Sequence, residues 1–371
     1  MSILRARLRP YTLPLDPPWP SVDGPVAERR GWIVALEDDA GRIGLGDAAP
    51  FPGFGLETHA SSGAALRGAL RRILGLSRTD LALALTDLSL LAPVAAAPAA
   101  RNAIDGAIHD LLAQAEGVPL ARYLGGAQAL PAVSVNAVIP RVPAEEAASL
   151  AREAVEAGFT TIKLKVGGVP PPEDRARLEA VRTATGAETR IRIDANQGWS
   201  ADEAIEALRS LAPLGIEYVE QPVAADDMAG MKRVREVCGI PVAADESLRS
   251  LATAETLLYG EAADLLVVKP MAVGGLRAAR GILTFASERG AQVVVTHLLE
   301  SAVGRAASIH FAAALGPTAH AHGVASPAEL REDLAPPAGE DRGSIRVPEA
   351  PGLGVLLPAA FWEGAEEIEP S

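Results

Sequence analysis

The sequence contains a single cysteine, Cys238, and this scarcity limits the classes of protein to which it can belong. One cysteine excludes an intrachain disulfide and fits a reducing compartment. Basic residues are also scarce, because 34 Lys and Arg stand against 47 Asp and Glu, for a net charge of −13. Nucleic-acid binding needs clustered Lys and Arg, so we expect a small-molecule ligand and no nucleic-acid partner.

The chain also lacks a long uncharged apolar stretch. None reaches the ~18 residues of a membrane span. The first residues, M-S-I-L-R-A-R-L-R-P-Y-T, show no apolar core followed by a small-residue cleavage site. We therefore expect a cytoplasmic protein with no membrane partner. At 371 residues the chain is longer than a bare barrel, which favours one barrel with a smaller domain.

Charged residues follow short apolar, β-branched runs at a nearly constant interval. From Asp194 to Glu220 is 26 residues, from Glu220 to Asp245 is 25, and from Asp245 to Lys269 is 24. A strand, a helix and two short loops need roughly 25 residues, and the strand ends of a closed barrel point at one mouth. The spacing predicts that these side chains meet there.

The wider pattern predicts an α/β fold, a (β/α)8-type TIM barrel with an α+β capping domain. Strand-like runs around a turn at residues 39–41, followed by helices, indicate the α+β domain over residues 1–125. Alternating strands and amphipathic helices indicate the barrel over residues 126–326. Residues 327–371 are expected to pack back on the capping domain. We place the barrel strands near 132–138, 160–166, 190–195, 216–220, 241–245, 264–269, 292–296 and 319–325.

Asp194, Glu220 and Asp245 suggest a metal site. Three carboxylates at one mouth would repel one another without a cation between them. An all-oxygen site favours Mg²⁺, or Mn²⁺, over zinc. Asn196 and Glu246 adjoin these ligands, and we interpret them as partners that orient the carboxylates.

The run T-I-K-L-K-V-G places Lys163 and Lys165 on one face of a strand. A neighbouring ammonium and partial burial both lower a lysine pKa, so the pair is expected to yield one neutral amine near pH 7. Lys269 arrives from a strand on the other side of the ring. A base on each face of a bound substrate fits removal of a proton next to a carboxylate, with a metal ion stabilising the enediolate.

These residues together resemble the enolase superfamily, in which a Lys or His base acts with Mg²⁺. The resemblance is to the muconate-cycloisomerase branch, with its modified barrel. It implies that Lys163 and Lys165 form the K-x-K pair of the second strand, and that Lys269 comes from the sixth. The mandelate-racemase branch instead has Asp on strand six and a His base on strand seven. Because Lys269 occupies the first of these positions, we interpret His297 as structural.

Within that branch, several segments resemble the o-succinylbenzoate synthase family of menaquinone biosynthesis. They are G-L-G-D-A-A-P-F-P-G-F-G-L-E-T (44–58), V-V-K-P (267–270), H-L-L-E-S-A-V-G-R-A-A (297–307) and H-G-V-A-S (322–326). The resemblance implies a lyase that dehydrates 2-succinyl-6-hydroxy-2,4-cyclohexadiene-1-carboxylate. Lys165 would take the α-proton and Lys269 would stabilise the enediolate. Expected contacts to the succinyl tail are Ser301, Gly304, Pro52 and Gly53.

Other functions remain open at this stage. An N-acylamino-acid racemase or a dipeptide epimerase would use the same lysines as two bases, one on each face of the substrate. Epimerases of this branch commonly carry acids near the eighth strand, where this chain reads A-H-A-H-G-V-A-S. The segment 44–58, the capping loop, resembles a muconate cycloisomerase less well. A catalytically silent barrel would have lost a metal ligand or a lysine, and none is missing. Apolar helix faces permit a homo-oligomer of unspecified number.

Overall fold

A computed structural model describes residues 1–19, 24–51, 53–55, 57–86, 91–327 and 329–369. Its first part is an antiparallel sheet in which β1 (Ile3–Trp19), β2 (Val26–Asp38) and β3 (Ile43–Ala48) follow the order of the sequence. The predicted turn after β2 is present. The Asp38 carboxylate fixes it by accepting hydrogen bonds from the backbone N–H groups of Ala40 (2.9 Å) and Arg42 (3.0 Å).

Helices follow this sheet in the chain. They are α1 (His59–Ile73), α2 (Arg78–Ala84), α3 (Pro98–Glu116) and α4 (Leu120–Gly125). The apolar residues along one side of α3, such as Ile104, Ile108 and Leu111, are buried, and the helix ends at Gly117, where φ is 69°. Gly46 of β3 lets α3 lie directly on the sheet, because a Cβ there would stand 1.8 Å from the Ala103 carbonyl oxygen.

The second part of the chain is a curled parallel sheet with helices around it. After β4 (Ala132–Ser134), the strands are β5 (Ala137–Ile139), β6 (Thr161–Lys165), β7 (Arg190–Asp194), β8 (Ile216–Glu220), β9 (Val242–Ala244), β10 (Leu265–Val268) and β11 (Gln292–Val295), and β5 to β11 lie side by side in that order. The helices are α5 (Ala144–Glu156), α6 (Pro171–Thr185), α7 (Ala201–Leu211), α8 (Met228–Cys238), α9 (Leu251–Tyr259), α10 (Pro270–Val273), α11 (Leu276–Glu288) and α12 (Ala302–Ala314). The predicted fold class, a modified barrel with an α+β cap, is confirmed.

The segment predicted as an eighth strand, residues 319–325, differs from the expectation. It closes the ring through two single parallel bridges, Val135 to His322 and Thr296 to Gly323, instead of a regular strand. Side chains take over part of the pairing: His322 Nδ1 accepts the Val295 N–H (3.1 Å), and Thr296 Oγ1 donates to the Gly323 carbonyl (2.9 Å). These side-chain bonds supplement the backbone bonds of the bridges, such as that from the Gly323 N–H to the Val295 carbonyl (2.9 Å).

The last part of the chain pairs with β4 and with β1. β12 (Glu340–Asp341) and β13 (Ser344–Arg346) form a small antiparallel sheet with β4, whereas β14 (Glu366–Glu367) pairs with β1. Across the described ranges, no helix combines the length and the apolar character that crossing a membrane requires.

Candidate active site

The predicted strand-end residues meet at the carboxyl end of the barrel. Asp194 and Glu220 are the last residues of β7 and β8, and Asp245 follows β9 directly. Strand register places Lys165 opposite Asp194, and Asp194 opposite Glu220. Lys269 follows β10. The three carboxylates are 1 to 3% exposed. Neighbouring protein groups, and not water, must therefore compensate their charges.

Each buried carboxylate contacts an ammonium group. Lys163 Nζ lies 2.9 Å from Asp194 Oδ2 and 2.7 Å from Glu220 Oε1. Lys165 Nζ donates to Asp194 Oδ2 (2.8 Å) and to Asn196 Oδ1 (2.7 Å). Lys269 Nζ donates to Asp245. The lysines therefore bind to the acids from β6 on one side and from the end of β10 on the other.

The carboxylates determine the electrostatics around Lys163. Burial by itself disfavours the charged form of Lys163, but Asp194 and Glu220 overcome it and raise the pKa of this lysine well above its ordinary value. Lys163 is therefore not the neutral amine that the pair was expected to yield, because carboxylates and not the second ammonium are its closest charges. Burial would raise the pKa of Asp194, yet Lys163 and Lys165 hold it well below its usual range. Burial raises the pKa values of Glu220 and Asp245.

Asn196 and Glu246 border this cluster. Asn196 Nδ2 donates to Glu246 Oε1 (3.2 Å), and the Asn196 N–H donates to Asp194 Oδ1 (3.0 Å). Asn196 has a φ of 43°, a left-handed conformation that asparagine tolerates better than most residues. The second oxygen of Glu246, Oε2, is buried without a hydrogen-bond partner among the described residues. A buried carboxylate oxygen of this kind calls for a further donor or cation.

The donor set fits a divalent cation. Within the described ranges, no three acidic, histidine or cysteine side chains are already grouped to hold an ion, since ammonium groups lie between the carboxylates. Four buried acids nevertheless face three ammonium groups, which leaves one formal negative charge. A divalent cation would offset this excess of negative charge. The all-oxygen chemistry of the set agrees with Mg²⁺.

Two aromatic rings of the capping part reach the lysines. Lys269 Nζ lies 4.3 Å from the centre of the Phe54 ring, and Lys165 Nζ lies 5.7 Å from that of Trp19. Phe54 belongs to the 50–55 segment that was expected to contact the substrate, whereas Trp19, the last residue of β1, was not expected at the mouth. Gly53 lies beside Phe54 and accepts a hydrogen bond from Arg249 (3.2 Å) through its carbonyl. Pro52, the other expected contact in this loop, lies outside the described residues.

Ser301 and Gly304 lie beneath the mouth surface. Ser301 is fully buried, and its hydroxyl and N–H both donate to Asp47 Oδ2, at 2.7 and 3.0 Å. A Cβ at Gly304 would stand 2.4 Å from Glu300 Cγ and 2.9 Å from Asp47 Oδ2. The structure thus directs these two residues toward the capping sheet, where they pack against β3.

His297 and Glu300 occupy the loop after β11. His297 Nδ1 accepts the Leu299 N–H (3.0 Å), so Nε2 carries the proton that it donates to the Ala325 carbonyl (2.8 Å). Burial, followed by the Arg305 charge, lowers the pKa of His297 to about 3, which leaves the ring neutral. Burial, assisted by the charge of Asp47, raises the pKa of Glu300 to about 7.

Replacing Glu300 with glutamine should remove a pH dependence of stability. The unfolded chain releases this proton near pH 4.5, while the folded protein keeps it until about pH 7. Wild-type stability therefore falls as the pH rises through this window, by up to ~3 kcal/mol. Glutamine is neutral throughout, so urea unfolding of the variant at pH 5 and pH 8 should show a smaller difference. An unchanged difference would contradict the buried, protonated state of Glu300.

Comparison with known proteins agrees with this geometry. Residues 146–360 match the family model described as Enolase C-terminal domain-like, and residues 9–125 match that of the Mandelate racemase / muconate lactonizing enzyme, N-terminal domain. Fold and mouth together define a two-domain barrel enzyme. The chain belongs to the enolase superfamily, in its mandelate racemase / muconate lactonizing branch.

Relatives that match almost the whole chain are epimerases and racemases. The L-Ala-D/L-Glu epimerase of Bacillus subtilis is 33% identical, over 99% of this chain and 100% of that protein. The N-succinyl-L-Arg/Lys racemase of Bacillus cereus is 30% identical, over 96% of both. A dipeptide epimerase from Cytophaga hutchinsonii, solved in complex with Mg and the dipeptide D-Ala-L-Val, has a TM-score of 0.89 at 29% identity and covers 99% of both chains.

The expectation of an o-succinylbenzoate synthase is wrong, and with it the assignment to lyases and to menaquinone biosynthesis. The synthase of Thermobifida fusca is 42% identical, but the match covers 54% of this chain and 62% of that protein, whereas the epimerases match throughout. The metal ligands and lysines do not distinguish a dehydration from a racemisation. The segments around Asp47 and Ser301, which suggested the synthase, bind each other in the interior and so carry little information about substrate.

Proposed function

We propose that this enzyme catalyses a 1,1-proton transfer, racemising or epimerising the α-carbon of an N-acylated α-amino acid. The positions of Lys165 and Lys269 carry this proposal. Three strands, β7, β8 and β9, separate β6 from β10 in the sheet. The two ammonium groups therefore approach the carboxylate cluster from different sides, as two bases on opposite faces of one substrate carbon require.

The reaction needs only these two lysines for its proton movements. One lysine, as the neutral amine, accepts the α-proton when the C–H bond breaks. The other, as the ammonium, donates a proton to the opposite face of the same carbon. Substrate and product have the same atoms, which makes the enzyme an isomerase. Lys163, whose pKa is raised by Asp194 and Glu220, stays charged and holds these acids in place.

We further propose that Asp194, Glu220 and Asp245 hold Mg²⁺, as the buried, all-oxygen donor set favours. When bound, the ion supplies positive charge that stabilises a carboxylate whose α-carbon has lost its proton. Asn196 keeps Asp194 oriented through its N–H, and it holds Glu246 through its side-chain amide. The structure of the dipeptide epimerase from Cytophaga hutchinsonii, which is similar to this one and was solved with Mg, supports this assignment.

The mouth favours a substrate whose nitrogen carries an uncharged acyl group. A dipeptide brings a free ammonium that needs an acid, and the segment from His320 to Ala325 contains none. Two exposed arginines lie near the rim: Arg141 follows β5, and Arg249 reaches the Gly53 carbonyl. Positive charge there disfavours a second ammonium and favours an anionic side chain or acyl tail.

A matched pair of substrates tests this preference. N-propionyl-L-glutamate differs from L-Ala-L-Glu only in lacking the ammonium group. With Mg²⁺ in ²H₂O, we expect loss of the α-proton signal and inversion for both compounds, with a kcat/KM about tenfold higher for the propionyl compound. Faster turnover of the dipeptide would contradict the preference. Absence of exchange in these compounds and in N-succinyl amino acids would overturn the proposed reaction.

A further inference from the structure

Two sequence segments that the proton transfer does not use meet in a buried polar cluster. This cap–barrel cluster consists of Tyr11, Arg29 and Asp47 from the capping sheet with Glu300 and Ser301 from the loop after β11. All are at most 6% exposed. Asp47 joins the two parts, since it accepts hydrogen bonds from the Tyr11 hydroxyl (2.8 Å) and from Ser301.

Arg29 makes the most extended set of contacts in this cluster. It is 2% exposed, and its guanidinium donates to the carbonyls of Ala49 (2.7 Å), Pro50 (3.1 Å) and Leu299 (3.2 Å). Leu299 has a φ of 56°, which is unfavourable for a leucine and needs support from its surroundings. The Arg29 side chain thus connects residues 49–50 of the capping loop to the loop that follows β11.

A line of ring contacts leads from Arg29 to a proposed base. The Arg29 guanidinium lies over the Phe51 ring, 4.7 Å from its centre. Phe51 meets Phe54 edge to face, with 6.5 Å between ring centres. Phe54 in turn lies 4.3 Å from Lys269 Nζ. These contacts involve Lys269 alone, because Lys165 faces Trp19 of β1.

We propose that Arg29 is a positioning residue for Lys269: through Phe51 and Phe54 it fixes the place of this ammonium, while Lys165 is left unaffected. The inference rests on the proposed two-base reaction. Proton transfer is sensitive to small displacements of the base, so loosening this line of contacts weakens chemistry on one substrate face only. The guanidinium suits the task because its rigid fork spans several carbonyls, which a lysine ammonium cannot do.

Measurements of inversion alone cannot reveal an effect that is confined to one face of the substrate. The equilibrium constant between two isomers is fixed by the substrate, so a variant must lower kcat/KM in proportion in both directions. Exchange of the α-proton with solvent is different. An isomer whose proton faces Lys165 still exchanges it when Lys269 is misplaced, whereas the other isomer does not.

The experiment measures α-proton exchange in ²H₂O by NMR, separately for each isomer of a turned-over substrate. Lys269→Ala and Lys165→Ala first assign each isomer to a lysine. Arg29→Lys keeps the charge that faces Asp47 and Glu300 but loses the three-carbonyl fork. We expect it to slow exchange of the Lys269 isomer about tenfold or more relative to the Lys165 isomer. Phe51→Leu should shift the ratio in the same direction.

Arg182→Lys is the matched control. Arg182 also donates to several carbonyls, those of Leu214, Gly186 and Gly215 among them, but next to the start of β8. Arg182→Lys should leave the ratio of the two isomers' α-proton exchange rates at the wild-type value. If Lys269→Ala and Lys165→Ala do not each stop α-proton exchange in a different isomer, the proposed function fails. If they do, and Arg29→Lys lowers both exchanges equally or neither, the inference is overturned. Should Arg29→Lys not fold, an unchanged ratio in Phe51→Leu overturns it.

Discussion

Lys165→Ala should lower inversion of either isomer by about 10³-fold, because one of the two proposed bases is lost. The protein should still fold, since Lys163 continues to pair with Asp194. The two isomers should behave differently in ²H₂O. The isomer whose proton faces Lys269 keeps exchanging with solvent, and the other stops. Chiral chromatography measures the inversion, and NMR measures the exchange.

Lys232→Ala serves as the control for this prediction. Lys232 is a lysine of α8 whose Nζ lies 3.2 Å from Glu261 Oε2, on the outer surface of the barrel. Its loss should leave both inversion and exchange unchanged. Near-normal inversion by Lys165→Ala would refute the role of Lys165. Complete loss of exchange in both isomers would contradict the proposal that each lysine serves one face of the substrate.

Removal of divalent cations should abolish activity, and Mg²⁺ should restore it. Without a cation the acids are paired only with lysines, two of which must be free to move protons. A bound ion also stabilises the folded state, by about 2.7 kcal/mol at a concentration 100-fold above Kd. The melting temperature of the wild type should therefore rise on addition of Mg²⁺ to chelator-treated protein. Activity and melting are measured on the same samples.

Asp194→Asn separates a specific site from general ionic effects. This variant should lose both the Mg²⁺-dependent rise in melting temperature and the activity. The control is Asp202→Asn, which changes an exposed acid that contacts Arg233 on the surface. It should respond to Mg²⁺ as the wild type does. Equal melting shifts in Asp194→Asn and the wild type would exclude Asp194 as a ligand.

The barrel could be predicted from the sequence because its signal is repeated. Asp194, Glu220, Asp245 and Lys269 recur at or just after strand ends, and the carboxyl ends of these parallel strands meet at the same mouth. The eighth strand could not be predicted correctly, because its backbone pairing is reduced to single bridges that side-chain bonds of His322 and Thr296 supplement, and no periodicity reveals these bonds.

The surroundings of the site depend on contacts between distant parts of the chain. Asp47 and Ser301 are 254 positions apart, and neither shows in its own segment that it will bind the other. The segments 44–58 and 297–307, which contain them, were expected to contact the substrate, but Asp47 and Ser301 bind each other in the interior. The substrate prediction failed for a related reason: the ligands and lysines indicate proton abstraction, which a synthase and a racemase share. The rings beside the lysines, Trp19 and Phe54, come from the distant capping part of the chain.

The pairing of β14 with β1 bears on how the protein folds. Arg7 lies opposite Glu367, and the Ile368 N–H donates to the Ala6 carbonyl (2.9 Å), so one sheet joins segments that the entire barrel separates in the chain. Contacts of such sequence separation form late and slowly. Until β14 is synthesised and docked, this edge of β1 stays open to strands of other molecules. Chains truncated before Glu366 are therefore expected to aggregate, even where the barrel has folded.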